Sequence, residues 1–100
     1  DNGAYLDSLG WFYYLKGDFD QAIEHLSQAE ELMSEEPDSV IYEHLAQSYL
    51  AKGDREEASR YIELALELEP ENEALKALKE SIGKAARELE TAEDSKADPS

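Results

Sequence analysis

"LGWFYYLKGDFDQAIEHLSQA" runs from Leu9 to Ala29, and "LAQSYLAKGDREEASRYIELA" runs from Leu45 to Ala65. Set one above the other without a gap, the two segments share Leu9 with Leu45, Tyr13 with Tyr49, and the Lys-Gly-Asp triplet. They also share Ala22 with Ala58 and Ala29 with Ala65, an offset of 36 residues. Self-similarity at such a period is the mark of a helical repeat array. Each copy reads as a helical hairpin. In its first helix, Leu6, Leu9, Gly10 and Tyr13, or Tyr42, Leu45, Ala46 and Tyr49, fall along one face. Gly17 or Gly53 then suits a left-handed helix end. Asp18 with Gln21, and Asp54 with Glu57, have the spacing that caps a new helix start. The second helix is expected to bury Ala22, Ile23, Leu26 and Ala29, or Ala58, Ile62, Ala65 and Leu68.

Outward from these segments the rest of the chain agrees with helix. Its 100 residues suffice for one small domain, and with only 5 Gly and 3 Pro, helix is favoured nearly throughout. In the first hairpin Pro37 follows Ala29 by eight residues, whereas Pro70 follows Ala65 by five. "EELMSEEP" is therefore read as a second helix lengthened by about a turn. After Pro70, the apolar residues Leu75, Leu78, Ile82, Ala85 and Leu89 recur at three-four spacing, with Lys76, Lys79, Lys84 and Arg87 on other faces. An amphipathic helix of this kind closes the bare end of a stack. The expected boundaries are a fraying start at 1–3, a repeat at 4–37, a repeat at 38–71, a capping helix at 72–91 and a disordered tail at 92–100.

The order of large residue, Leu, small residue, Tyr, Gly, Ala, large residue, Ala and Pro resembles the tetratricopeptide repeat family, over roughly Ala4 to Glu90. The resemblance implies an all-α solenoid of two hairpins and a capping helix, five helices in all. It also implies a non-catalytic protein-interaction module, a scaffold or adaptor, that holds a partner segment in the concave groove. "LDSLGW" is in addition similar to the late repeats of long bacterial members, so the expectation is the C-terminal part of a longer array. Chaperone-binding members hold a C-terminal carboxylate with Lys, Asn, Asn, Lys and Arg. Asp7, Trp11, His44, Ala74 and Leu78 stand at those places, so an acidic chaperone tail is not the expected partner.

Trp11, Phe12, Tyr13 and Tyr14 are consecutive, and helical rotation of about 100° per residue sends them in different directions. Tyr13 faces the hairpin core, and Phe19 staples the start of the next helix. Trp11 and Tyr14 share a sector with Asp7, which the family resemblance assigns to the groove, beside Glu43, Gln47 and Leu50 of the second repeat. These six residues are the candidate partner-binding groove, suited to an apolar anchor and Lys or Arg. Tyr5 and Phe12 occupy a third sector, which the resemblance assigns to stacking on an upstream repeat. The alternative reading makes that edge a homodimer contact.

The net charge of −16 repels nucleic-acid backbones and anionic lipid, so neither is an expected partner, while a basic protein segment is compatible. No apolar run approaches the roughly 20 residues of a membrane-spanning helix. Cysteine is absent. His25 and His44 lack the paired spacing of a helical zinc site and read as surface histidines, and acid pairs such as Glu30-Glu31 read as solvated helix faces, so no metal, cofactor or catalytic residue is expected.

Overall fold

The computed structural model describes residues 2–84. Four helices of 14 residues each, α1 (Asn2–Leu15), α2 (Phe19–Leu32), α3 (Ser39–Lys52) and α4 (Arg55–Leu68), are followed by α5, described over 73–84. Among the described residues there is no strand. The helices α1 and α2 form one antiparallel hairpin, α3 and α4 a second, and α2 packs on α3 to join them. The outer part of the capping helix, 85–91, and the tail at 92–100 lie outside the described residues.

Each hairpin turn is decided by three residues. Gly17 and Gly53 take φ of +83° and +98°, the left-handed region where a side chain is strained. The Asp18 amide then bonds the Tyr13 carbonyl at 2.9 Å, and the Gly17 amide bonds that of Tyr14 at 3.0 Å, which closes the end of α1 in a Schellman arrangement. Asp54 and Gly53 repeat this on Tyr49 and Leu50 at 2.8 and 3.0 Å. The same Asp18 turns its carboxylate to the Gln21 amide at 3.2 Å, and Asp54 to that of Glu57 at 3.1 Å. One aspartate thus ends a helix with its backbone and starts the next with its side chain.

Where the helices of a hairpin cross, bulk is excluded. A Cβ on Gly10 would stand 2.6 Å from Leu26 Cγ, so α1 lies against α2 closely enough to require glycine. Around these crossings Ala22, Leu26, Ala29, Leu45, Ala46, Ala58, Ile62 and Ala65 are fully buried, and Leu75 and Ile82 bring α5 onto the same core. Two apolar expectations fall short. Leu68 ends α4 and is 44% exposed, and Ile23 is half-buried because it flanks the buried stripe.

The first hairpin's second helix is not lengthened. It ends at Leu32, at the position equivalent to Leu68, and the three extra residues form a turn instead. Ser34 and Glu36 donate their amides to the Glu31 and Met33 carbonyls, three residues back. Glu30, Glu31, Glu35 and Glu36 would crowd the negative end of a longer helix with no basic residue in the last turn, and Pro37 turns Glu36 away from helical backbone. Asp38 then caps α3 through the Val40 amide at 2.8 Å. Asn72 caps α5 through the amides of Ala74 and Leu75 at 3.0 and 3.2 Å.

Candidate functional site

Asp7, Trp11 and Tyr14 lie at three-four spacing on α1, so one side of that helix carries all three toward α3. The Trp11 ring stacks on Tyr14 at 4.4 Å between centroids and 7° between planes, and on His44 of α3 at 4.2 Å and 20°. Two rings so close and so nearly parallel to the indole cannot share one of its faces without colliding. Tyr14 and His44 therefore cover opposite faces of Trp11, and only the indole edge is left to a partner.

Asp7 completes this contact. Its Oδ1 lies 2.7 Å from His44 Nδ1, and the two side chains are only 19% and 16% exposed. The contact ties α1 to α3 through two polar groups that are largely withdrawn from water and satisfy each other. The sequence reading of His44 as a surface histidine is thus replaced: it is the residue through which α1 grips α3. Farther along the same face, Gln47 Nε2 donates to Glu43 Oε2 at 3.2 Å, and Leu50 is half-buried. The structure sets Trp11 between Tyr14 and His44, bonds Asp7 to that histidine, and places Glu43 and Gln47 as a pair one turn apart on α3.

The other side of α1 is bare. Tyr5 is 66% and Phe12 50% exposed, whereas their counterparts in the second repeat, Ile41 and Ser48, are buried where α3 meets α2. Ser48 meets burial by donating its hydroxyl to the His44 carbonyl at 2.8 Å. Tyr13 is half-buried and stacks on His25 at 5.2 Å, and His25 Nδ1 is buried without a hydrogen-bond partner.

A second contact between repeats was not anticipated. The Tyr61 hydroxyl on α4 donates to Glu30 Oε1 on α2 at 2.9 Å, so Glu30 is not a plain solvated acid. Tyr61 also stacks on Tyr49 at 5.8 Å, and Arg60 lies over its ring at 4.3 Å. Burial, together with the hydrogen bond to Glu30 and its negative charge, pushes the Tyr61 phenol up to about 12. Ser39 Oγ, at the start of α3, donates to Glu69 just past α4.

Among the described residues no group of three or more His, Asp or Glu side chains is arranged to hold a metal ion, and no helix is long and apolar enough to cross a membrane. A family model described as tetratricopeptide repeat matches residues 13–82, from the core tyrosine of the first hairpin to the buried Ile82 of α5. Comparison with curated proteins found no match.

Proposed function

From the premise that the chain belongs to the tetratricopeptide repeat family, we propose that it is a non-catalytic interaction module holding a partner segment against the inner sides of α1 and α3. The observation that supports this reading is the Tyr14–Trp11–His44 stack, a rigid aromatic floor continuous across two repeats. Rigid aromatic area loses little entropy on binding and supplies desolvated contact. Asp7 is engaged by His44, so Glu43 is the acid on this side that meets a Lys or Arg of the partner, while Tyr14 and Leu50 offer apolar contact.

Selection of short displayed segments against the whole chain tests this. Segments with Lys or Arg beside an apolar residue are expected, shifting NMR signals on α1 and α3. Their affinity should fall about tenfold or more in Tyr14→Ala at unchanged helix content, and weaken as salt rises. Selected segments that are acidic, or that shift only α2 and α4, overturn the proposal.

A further inference from the structure

Trp11 and His44 stack face to face, and each also carries a polar atom on its open ring edge. The ionised Asp7 carboxylate can only accept, so its 2.7 Å contact places a proton on His44 Nδ1. In the neutral imidazole the other nitrogen, Nε2, is then an acceptor. Trp11 Nε1 is a donor and nothing else. Among the described residues neither atom has a hydrogen bond, and the one buried side-chain nitrogen or oxygen without a partner is His25 Nδ1. Trp11 Nε1 and His44 Nε2 therefore both reach water. Since α2 packs on both α1 and α3 from behind, they reach it along the inner side of the joint. The ring centroids are 4.2 Å apart and the planes within 20° of parallel, and an imidazole is small, so donor and acceptor open on one short stretch of the groove floor.

We propose that this stretch takes a side-chain carboxamide, the Asn or Gln of a partner segment, its oxygen accepting from Trp11 Nε1 and its nitrogen donating to His44 Nε2. The inference rests on the groove reading above and adds a polar specificity to it. A carboxamide carries an acceptor and a donor on a single carbon, the complement of the two ring edges. A carboxylate has no proton for Nε2, and Glu43 beside His44 repels it. An ammonium has no acceptor for the indole N–H. An apolar side chain takes water from both atoms and leaves them unpaired, which is costly. A single main-chain peptide group points its carbonyl and its amide to opposite sides, so it meets one ring edge and not both. Asp7 decides the chemistry at a distance, because its bond fixes which imidazole nitrogen is left open. With Glu43 left for a Lys or Arg, the segment that fits carries an Asn or Gln near a basic residue.

The test uses short displayed segments of random sequence against the whole chain at pH 8, where an imidazole is ordinarily neutral. Segments that shift NMR signals of α1 and α3 should share an Asn or Gln at one place. Replacing it in the segment with Met or Glu should lower affinity about tenfold or more. Exchanging Trp11 for its benzothienyl analogue keeps the stacked rings and puts sulfur in place of N–H. At unchanged helix content, the preference for Gln over Met should then fall by about threefold or more. Nitrogen NMR should find the His44 proton on Nδ1. Segments seated on α1 and α3 without a shared Asn or Gln overturn this proposal and leave the groove standing. A preference undiminished by loss of the indole N–H, or a neutral His44 protonated at Nε2, does the same. Segments seated only on α2 and α4 overturn the groove reading and this proposal together.

Discussion

The two hairpins share a plan and differ at their inner crossings and at the positions where each meets the other. Gly10 of the first stands where the second has Ala46, His25 where it has Tyr61, and Trp11 where it has Gln47. The second hairpin has room for a methyl at its crossing and joins its neighbour through Tyr61 and Glu30. The first crosses more tightly and reaches its neighbour through Trp11, Asp7 and His44. The buried stripe of the second helices is thus kept between repeats as volumes, whereas crossing and joint positions are individual, and the individual residues set how the helices and repeats pack.

If the joint depends on the indole, Trp11→Ala carries the largest effect. It removes both stacking contacts and leaves the Asp7–His44 pair open to water. For a half-buried tryptophan we expect a loss of about 3 kcal/mol in urea unfolding, near the lower end for aromatic truncation. Gln47→Ala, at the equivalent place, should cost less than about 0.5 kcal/mol. Equal losses at the two sites would mean that the stack contributes nothing particular to the joint. This variant is also a poor probe of partner binding, since it disturbs the groove floor itself; Tyr14→Ala is the cleaner one.

The crossing gives the next effect. Alanine favours helix over glycine by about 1 kcal/mol, so Gly10→Ala would stabilise an open helix. Here its methyl would stand 2.6 Å from Leu26 Cγ and 3.1 Å from the Ala22 carbonyl oxygen. Neither atom is the free end of a flexible chain, and overpacking of this kind costs about 1–3 kcal/mol. The expected net result is a loss of about 1 kcal/mol. Ala46→Gly, the reverse change in the second repeat, should also destabilise by about 1 kcal/mol, through helix propensity and lost contact. A stabilised Gly10→Ala would show that the α1–α2 spacing relaxes freely.

How far the sequence reveals all this depends on how local each contact is. The Lys-Gly-Asp turns, the aspartate caps and the alanine stripes are set within a few residues, and they stand in the structure as the spacing predicts. The lengthened second helix failed because local acidic repulsion and Pro37 outweighed the continuing helical composition. The pairs Asp7–His44 and Glu30–Tyr61 join residues 37 and 31 apart, and which side chains meet across a joint depends on the stacking angle, which no single repeat encodes. A usable signal was present. With a repeat of 36 residues, Asp7 and His44 differ by one position in phase, which places them on facing turns of adjacent first helices.

The third effect, no larger than that of the crossing, separates the joints by pH. Tyr61→Phe keeps the ring stack and removes the hydrogen bond to Glu30, a carboxylate that water can still reach, so about 1 kcal/mol should be lost at neutral pH. Above pH 10 the comparison inverts in slope. An unfolded tyrosine loses its proton near 10, whereas the folded Tyr61 holds it until about 12, so over that range the unfolded chain binds fewer protons. Stability from Tyr61 is therefore complete below pH 10 and is lost as pH rises through 12. Tyr42 and Tyr49, whose phenols burial also pushes up, contribute to the same alkaline loss, as does Lys52, which its hydrogen bond to Asp20 pushes up. The wild-type minus Tyr61→Phe difference cancels those and should decline from pH 10 toward 12. The first joint has no phenol between its helices, since Tyr14 stacks on its own helix, so a Trp11→Ala difference measured over the same range should stay flat. A flat Tyr61 difference would mean that the hydroxyl finds its acceptor in water, and the two joints would then differ in shape alone.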